Sequence, residues 1–277
     1  ESITIENCDG YAISTSFNEP YGRYVRDITM RNITILDSTG GISINGMGTI
    51  QINNTYITRC EVHGIYIRGG DVSIISSAVE YCNGEGLYIV QAESVEIINN
   101  AFRYCYLGVV LEDLNGARFI NNSMFGCGLF LYNSLNNIVI NNTVNGLPLL
   151  YLENAVNLVI TGTYGQIILI SSTNMTIENV SISDCGVCIE LWNTTGFMMW
   201  SALMESNYGA YVAYSNITLA YNNFKSNDVG LHVYASEIVC YLNNFIDNAV
   251  QASINGSARM YSLYVLSYYY KGCLLYT

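Results

Sequence analysis

The chain has 277 residues, of which 51% are hydrophobic, and a net charge of −12 with only 10 lysines and arginines. That hydrophobic content is enough for one long core, so we predict a single domain over residues 1–277. A strongly acidic chain whose few cations form no stripe is a poor partner for a nucleic-acid backbone, which excludes nucleic-acid binding from the expected functions. No cofactor-binding motif is present, and no cofactor is expected.

Four consecutive segments repeat one pattern without gaps. Each contains a pair of Asn or Ser residues and ends in a cysteine, and a glycine and an alternating apolar strand follow it. The segments are Thr49–Cys60, Val72–Cys82, Val95–Cys105 and Ala117–Cys127. The period is about 22 residues, and self-similarity at about 20 to 50 residues is typical of a solenoid.

The content of one period indicates which solenoid this is. It holds two or three short strands with period-two alternation and no segment with the apolar spacing of a helix. That excludes leucine-rich, ankyrin and tetratricopeptide repeats. Because one strand cannot bury its apolar face alone, each turn of chain must stack on the next. We therefore predict an all-β fold, a single-stranded parallel β-helix of about 12 coils.

The second residue of the Asn pair can be followed along the chain. Stacked coils lie about 4.8 Å apart, so these side chains are predicted to form a ladder with a structural role. Asn also tolerates the left-handed backbone of a sharp corner. The predicted positions are Asn32, Asn54, Ser77, Asn100, Asn122, Asn142, Gly162, Asn179, Ser201, Asn223 and Asn244.

Two later segments, Leu219–Val233 and Tyr241–Asn248, carry an Asn-Asn pair and a further Asn four residues on. With the glycine before a strand in the first of them, they resemble the repeat of right-handed β-helix proteins of the NosD-like, carbohydrate-binding and sugar-hydrolase type, within the pectin-lyase-like superfamily. The resemblance covers nearly all of the chain and implies a right-handed coil. It is specific for the fold alone, because activities differ among family members.

The two ends of the chain also read as strands. The run Tyr261–Thr277 is rich in tyrosine and contains Lys271, so no transmembrane segment is expected there. Solenoids normally need polar caps, and neither end supplies one. We expect the domain to be part of a longer chain or capped by neighbouring subunits, with neighbouring copies or further domains as partners through the solenoid ends.

Nine Asn-X-Ser/Thr sequons are candidate N-glycosylation sites, although some of these Asn residues belong to the corner pairs. Together with low lysine and high tyrosine and serine content, they favour an extracellular or cell-surface protein. The composition would suit a thermophilic archaeal surface. The candidates are Asn32, Asn53, Asn121, Asn141, Asn174, Asn179, Asn193, Asn216 and Asn255.

Four of the nine cysteines share one register, and we predict a cysteine ladder of Cys60, Cys82, Cys105 and Cys127. In-register stacking aims their Cβ atoms in parallel. A ladder of small buried side chains is therefore favoured, with disulfides within or between coils as the alternative that an oxidising exterior or a hyperthermophile would allow.

A metal site is not predicted. Cys185 and Cys188 have CxxC spacing, but strand alternation predicts that Cys188 points outward, and no second pair or nearby His completes a zinc set. The two histidines, His63 and His232, lie about eight coils apart and cannot share one ion. Copper-site assembly enters only through the resemblance to NosD.

No catalytic residue is assigned. The sequence strings typical of the pectate lyases, polygalacturonases and epimerases that share the resemblance do not occur. The best candidates for acid-base work are His63, Glu85 and Glu61, because Glu85 is predicted to stack on His63. Glu112 and Asp113, two coils above Arg68, are weaker candidates, and ordinary solvated charges are the simpler interpretation of both groups.

A column of large side chains is predicted on the outward position of the strand that follows each glycine. Aromatic faces along a groove can hold sugar rings or another protein. The alternatives are cross-strand packing or cover by a loop such as Glu19–Gly22. The column is Tyr66, Tyr88, Val110, Phe130, Tyr151, Ile168, Cys188, Tyr211 and His232, and its candidate glycan- or partner-binding residues are Tyr66, Tyr88, Phe130, Tyr151 and Tyr211.

The favoured function is a non-enzymatic, extracellular structural or adhesive β-helix module of a cell-surface or filamentous assembly, with polysaccharide as an optional partner. One alternative is a polysaccharide lyase, hydrolase or epimerase with a site near His63 and Glu85. The other is a NosD-like periplasmic factor for metal-site assembly. The missing catalytic strings and the separated histidines argue against these two alternatives.

Overall fold

The structure, a computed structural model, describes residues 2–15 and 25–264, and every regular element in those ranges is a β-strand. This part of the chain has no helix capable of crossing a membrane. The loop Glu19–Gly22 and most of the run Tyr261–Thr277 lie outside the described residues. The chain divides into two compact units, Glu1–Gly146 and Leu147–Thr277, called unit 1 and unit 2 below; the predicted single domain stays a prediction.

The strands of unit 1 are short, and most coils contribute three of them. They are β1 Ile3–Glu6, β2 Tyr11–Ser14, β3 Val25–Arg31, β4 Ile33–Ser38, β5 Gly40–Asn53, β6 Tyr56–Cys60, β7 Ile65–Arg68, β8 Asp71–Ile75, β9 Ala78–Glu80, β10 Leu87–Val90, β11 Ser94–Ile98, β12 Ala101–Arg103, β13 Val109–Glu112, β14 Arg118–Ile120, β15 Ser123–Phe125, β16 Leu129–Tyr132, β17 Ile138–Ile140 and β18 Thr143–Val144.

Three faces result from parallel pairing in unit 1. One follows the order β1-β4-β6-β9-β12-β15-β18. The long strand β5 turns a corner, so that its first half pairs with β2 and β7 and its second half with β3 and β8. The second face therefore continues through β10, β13 and β16, and the third through β11, β14 and β17.

Unit 2 repeats the arrangement with its own strands. They are β19 Leu147–Glu153, β20 Val159–Ile160, β21 Gln166–Ile170, β22 Met175–Glu178, β23 Ser181–Ser183, β24 Val187–Trp192, β25 Thr195–Met199, β26 Ala202–Met204, β27 Tyr208–Ala213, β28 Asn216–Ala220, β29 Asn223–Lys225, β30 Val229–Tyr234, β31 Glu237–Tyr241, β32 Asn244–Ile246, β33 Val250–Asn255 and β34 Arg259–Tyr264. Its faces run β19-β21-β24-β27-β30-β33, β20-β22-β25-β28-β31-β34 and β23-β26-β29-β32. The predicted all-β, single-stranded parallel β-helix is confirmed.

The core is made of columns of like residues, because each strand pairs in register with the one a coil away. In unit 1 one column consists of Ile44, Ile67, Ile89, Leu111 and Leu131, all fully buried. A fully buried side chain of this kind contributes about 1.5–3 kcal/mol. The side chains of a column are buried only when their coils stack on one another. Repetition, and not any single segment, therefore specifies the fold.

At the Asn corners a left-handed residue precedes a buried polar one. In unit 1 the left-handed residues of one corner include Asn99 and Asn121 (φ 58° and 56°). The next residues, Asn100 and Asn122, turn inward, and the Asn100 N–H donates to Asn122 Oδ1 at 2.9 Å. Asn122 in turn donates from its backbone N–H to Asn142 Oδ1 at 2.8 Å. The buried backbone donors of the corner are thus satisfied.

The predicted Asn ladder is correct at some coils and displaced by one residue at others. Ser77, Asn100, Asn122, Asn142 and Ser201 lie in the ladder. Asn32, Asn54 and Asn179 are left-handed corner residues that precede the ladder position, whereas Asn223 and Asn244 begin strands after it. The true members in those later coils are Asn222 and Asn243. The two types of position share Asn, and for that reason the sequence pattern alone does not separate them.

Candidate functional site: an aromatic and acidic patch on unit 1

The strongest cluster of polar and aromatic groups lies on the second face of unit 1, where β7 and β10 pair. His63 and Glu85 precede these strands at the same corner, since the N–H of Gly64 donates to the Glu85 carbonyl. His63 Nδ1 and Glu85 Oε2 are 2.7 Å apart, and the two side chains are 22% and 19% exposed. This geometry agrees with the predicted stacking of Glu85 on His63.

Glu85 is held as a carboxylate. Burial raises its pKa, but the hydrogen bond from His63 and a backbone hydrogen bond outweigh that effect, and the net pKa lies below the usual value. A carboxylate beside an imidazole can hold a hydroxyl group or move a proton. The pair is therefore a competent polar anchor for a hydroxyl-rich ligand.

Two tyrosines flank this pair. Tyr66 and Tyr88 occupy paired positions on β7 and β10, with ring centroids 5.5 Å apart and edge to face. The His63 ring stacks on Tyr66 at 5.8 Å and meets Tyr88 edge-on at 5.9 Å. Both tyrosine side chains are half-buried. Such pairs contribute about 0.5–1.5 kcal/mol beyond area burial and fix the ring orientations.

Two further residues extend the patch. The Tyr88 hydroxyl donates to Glu112 Oε2, and burial together with this hydrogen bond raises the Tyr88 pKa. Tyr11 lies against Gly40, where a Cβ would meet its ring at 2.5 Å. Burial, followed by the electrostatic influence of Tyr66 and other neighbouring groups, raises the Tyr11 pKa. We define the patch as Tyr11, His63, Tyr66, Glu85, Tyr88 and Glu112.

Glu61 does not join the patch. It is exposed and lines a separate cleft that also contains the ion pair between Arg59 Nε and Asp37 Oδ1, which are 2.5 Å apart. The second predicted group is also dispersed, since Arg68 donates to Gln91 and Asp113 accepts from Asn133. Glu112 does lie two coils above Arg68, as predicted, through Val90.

The predicted outward column is continuous within unit 1. Tyr66, Tyr88, Val110 and Phe130 are paired in register. Val110 is buried, and Phe130 is half-buried at 6.4 Å from the Tyr132 ring. Val110 therefore interrupts the aromatic part of the column between Tyr88 and Phe130.

In unit 2 the predicted column contains one error. The residue paired with Ile168 and Tyr211 is Glu190 and not Cys188. Cys188 lies opposite Gly209, between the pairs Val187–Tyr208 and Ile189–Ala210, and its side chain is buried. The prediction that Cys188 points outward is wrong. At this position, which Gly209 occupies in the next coil, the strand bends and two consecutive residues turn inward.

The remaining column residues of unit 2 are closely packed. Tyr211 is only 7% exposed and stacks on His232 at 4.7 Å. Glu190 is fully buried and accepts a 2.7 Å hydrogen bond from Trp192 Nε1. Tyr151 is half-buried and donates to Glu153. This part of the column packs as cross-strand pairs do, and Tyr211 offers no open ring face.

The cysteines of the predicted ladder lie at one corner of unit 1. Cys60, Cys82, Cys105 and Cys127 are buried and are free thiols. Hydrogen bonding with the Cys82 thiol, and then burial, raise the pKa of Cys60 and of Cys105, whereas the hydrogen bonds with Cys105 and Cys60 lower the pKa of Cys82. The raised pKa makes Cys60 and Cys105 poor nucleophiles. Within the described ranges no group of three or more His, Cys, Asp or Glu side chains is arranged to hold a metal ion.

The sequons lie mostly at corners. Asn53 is half-buried, and the other eight Asn side chains are exposed. Six of those eight have left-handed backbone, and they are Asn32, Asn121, Asn141, Asn174, Asn179 and Asn193. Glycosylation at these sites stays a prediction.

Aromatic residues at left-handed corners were not predicted from the sequence. Tyr81 and Tyr104 of unit 1 stack at 5.1 Å and are 52% and 45% exposed. Trp200 and Tyr221 of unit 2 stack at 6.0 Å and are 54% and 46% exposed. A bulky residue in this conformation is uncommon. The available signal was an aromatic directly before a ladder position, as in Tyr81-Cys82 and Trp200-Ser201.

Comparisons with known proteins agree with the architecture. Residues 40–163 match the family model described as right handed beta helix region. Together with the parallel pairing above, this match confirms the predicted right-handed parallel β-helix fold. None of the curated proteins matches the sequence.

Two solved structures show a distant similarity. They are the A-modules of the mannuronan C-5 epimerases AlgE4 and AlgE6 of Azotobacter vinelandii, each 13% identical. The matches cover 94% of this chain and 90% of the AlgE4 module with a TM-score of 0.22, and 95% and 91% with a TM-score of 0.23 for AlgE6. Similarity at this level says nothing about activity.

Proposed function

We propose that this chain is a non-enzymatic, extracellular β-helix module of a cell-surface or filamentous assembly, and that it binds neutral glycans at the patch on unit 1. The observation that carries the proposal is the pair of orthogonal, half-buried rings of Tyr66 and Tyr88, 5.5 Å apart, beside the 2.7 Å His63–Glu85 contact. Ring faces accept the apolar side of a sugar, and the imidazole and carboxylate bind its hydroxyl groups.

The charge of the patch selects among glycans. Glu85 and Glu112 are both acidic, and the chain carries a net charge of −12. A polyuronate brings one carboxylate per sugar, and unpaired like charges at a partly buried site are repelled. Neutral or amino-bearing sugars fit better. The expected ligands are neutral polysaccharides of a cell surface.

Calorimetric titration with soluble neutral oligosaccharides tests the proposal. Tyr66→Ala/Tyr88→Ala is expected to abolish the binding heat, whereas Tyr221→Ala, an exposed tyrosine of unit 2, leaves it unchanged. Absence of binding across a panel of neutral glycans, or equal binding by the double variant, contradicts the proposal.

An enzyme is the second candidate, and the His63–Glu85 pair favours it because a carboxylate can hold an imidazole as a general base. A lyase, hydrolase or epimerase acting there releases unsaturated or reducing ends or changes sugar configuration. Loss of such products in Glu85→Gln, with unchanged folding, would replace the non-enzymatic proposal. A polysaccharide panel without product leaves the binding module as the function.

Assembly through the solenoid ends belongs to the same proposal. Open strand edges can add strands from a neighbour by continuing the stack. Electron microscopy of natively purified protein is the test, with filaments or sheets expected. A monodisperse monomer at high concentration argues against assembly, without affecting the glycan titration.

A further inference from the structure

One corner of unit 2 brings two buried thiols together. Cys185 follows the left-handed Asp184 (φ 55°), and Cys188 is the second residue of β24. Their Sγ atoms are 3.6 Å apart, and the two residues are 2% and 0% exposed. The Ser206 Oγ of the next coil lies 3.1 Å from Cys188 Sγ and 3.6 Å from Cys185 Sγ.

The same two positions can be compared in three further coils. The ladder runs from Cys185 through Ser206 and Asn227 to Asn248, each backbone N–H donating to the next side chain. The positions three residues later hold Cys188, Gly209, Gly230 and Gln251. Among these four coils, the coil of Cys185 alone has cysteine at both positions. The next coil has Ser206 and Gly209 there.

This corner connects side chains three residues apart. In the coil of Asn248, its Nδ2 donates to Gln251 Oε1 at 2.8 Å. The backbone between the two positions therefore aims both side chains at one point inside the coil. A pair of thiols at that point needs only small χ rotations to bring the sulfurs from 3.6 Å to the bonding distance of about 2.05 Å.

We propose that Cys185 and Cys188 are oxidised to an intramolecular disulfide that closes this corner. The oxidant is a low-molecular-weight or protein disulfide. One cysteine thiolate attacks the oxidant and displaces a thiol, and the second thiolate then attacks the mixed disulfide and displaces the other thiol. Two protons and two electrons leave the cysteines, and one disulfide is reduced to two thiols.

Oxidation occurs while the coil is still open. Hydrogen bonding with Cys188, and then burial, raise the pKa of Cys185 well above its usual value in the folded chain, and a protonated, enclosed thiol exchanges slowly. During folding the short CxxC segment is exposed and its cysteines are neighbours. The bond formed then is buried with the coil and is protected from reduction.

Each thiol of the unit 1 ladder comes from a different coil, and none has a second cysteine three residues later at its own corner. Cys82 Sγ donates to the Glu80 carbonyl at 3.7 Å, and Cys105 Sγ to the Arg103 carbonyl at 3.5 Å. In-register pairing of their strands aims the Cβ atoms in parallel. These cysteines are therefore expected to stay reduced, and they serve as an internal control.

Refolding followed by peptide mass mapping tests the proposal. The full chain is unfolded with reductant, refolded in a mixture of reduced and oxidised glutathione, denatured again and alkylated. The peptide with Cys185 and Cys188 is expected to carry no alkyl groups and to be two hydrogens lighter, while the peptides with Cys82 and Cys105 are fully alkylated. Complete alkylation of Cys185 and Cys188 overturns the proposal.

A matched variant separates the disulfide from the packing of this corner. Cys185→Ser/Cys188→Gly copies the residues that the next coil has at Ser206 and Gly209, so it is compatible with the fold. Reductant added during refolding is expected to lower the Tm of the wild-type chain by a few degrees and to leave the variant unchanged. An equal Tm for the wild-type chain with and without reductant contradicts the disulfide.

Discussion

Glu85 shows how one side chain sets the character of the patch. Burial raises its pKa, but the contact with His63 and a backbone hydrogen bond together outweigh that effect and lower the pKa. A carboxyl group whose folded pKa lies below the unfolded value of 4.5 binds fewer protons when folded. Its contribution to stability is therefore present above pH 4.5 and is lost as pH falls through the lower folded pKa.

Glu85→Gln is expected to lower the free energy of unfolding at pH 7 by about 1–2 kcal/mol, since a hydrogen bond to a charged group contributes about 1.5–3 kcal/mol and this pair is partly solvated. The substitution also makes the loss of stability below pH 4.5 smaller, because it removes the carboxyl group that titrates there. Denaturant titrations from pH 3 to 7 measure both effects. Glu61→Gln, at an exposed glutamate, is the control, and an identical acid profile for both variants contradicts the assignment.

The burial of His232 in unit 2 leads us to expect a second effect of pH on stability. Burial lowers its pKa from 6.5, and its ring stacks on Tyr211 at 4.7 Å. The unfolded chain binds a proton more readily than the folded one, so stability falls as pH decreases below 6.5 toward the lower folded pKa. His232→Phe keeps the stack and is expected to flatten the stability profile in this window. An unchanged slope between the wild-type chain and the variant argues against the effect.

At the scale of a corner, the ladder residue and the left-handed residue before it have separate tasks. Asn122 donates to the Ile97 carbonyl at 2.8 Å and accepts from Asn100. Its neighbour Asn121 (φ 56°) supplies only the backbone conformation. The hydrogen bonding of the buried polar groups depends on the ladder residue, whereas the backbone strain depends on the left-handed residue before it.

Asn122→Ala is expected to reduce the free energy of unfolding by about 3 kcal/mol or more, because it leaves buried donors and acceptors of two coils unsatisfied at about 1–3 kcal/mol each. Asn122→Ser is expected to be milder, since serine holds the ladder position at Ser77 and Ser201. Chemical denaturation measures both. Equal losses for the two variants would show that packing volume, and not hydrogen bonding, dominates the corner.

Trp200 tests the cost of a bulky residue at a left-handed corner. Trp200→Asn relieves strain of about 1–2 kcal/mol and removes a stack on Tyr221 worth about 0.5–1.5 kcal/mol, so the Tm is expected to stay nearly unchanged. Trp200→Val loses the stack and keeps the strain, and its Tm is expected to fall. A large loss in the Asn variant indicates that the ring is held by contacts beyond Tyr221.

The fold could be predicted because the informative signal repeats in every coil. Period-two alternation, the glycine before each strand and the cysteine register all agree with the pairing of β7, β10 and β13. The displaced Asn positions and Cys188 were mispredicted for a common reason. Strand alternation does not continue through a corner, where consecutive residues turn inward, and a linear pattern does not locate the bend.

The candidate site could be predicted in part. His63 and Glu85 were placed correctly, because residues one period apart meet in adjacent coils. Tyr11 was missed, because its strand β2 precedes the clear repeats. Glu61 was included because nearness in sequence was taken for nearness at the corner. Contacts across a bent corner depend on side-chain direction, which the repeat does not encode.

At the scale of the whole molecule, the net charge of −12 acts on every ligand that approaches. Binding of a neutral oligosaccharide at the patch is expected to be nearly independent of salt, because no charge is exchanged. Binding of a uronate oligosaccharide is expected to be weaker and to improve as salt screens the repulsion. Titrations at low and high ionic strength measure this, and tighter uronate binding at low salt contradicts the expectation.

The ladders have a consequence for how such a chain changes over generations. Asn100 and Asn122 are 22 residues apart and hold equivalent positions, so excision of one such length brings Asn122 next to Ser77, and every corner bond finds a new partner of the same kind. Duplication of the same length does the converse. Length is therefore a heritable variable that unequal recombination can adjust one turn at a time, whereas an insertion much shorter than one coil, placed within a strand, breaks the register.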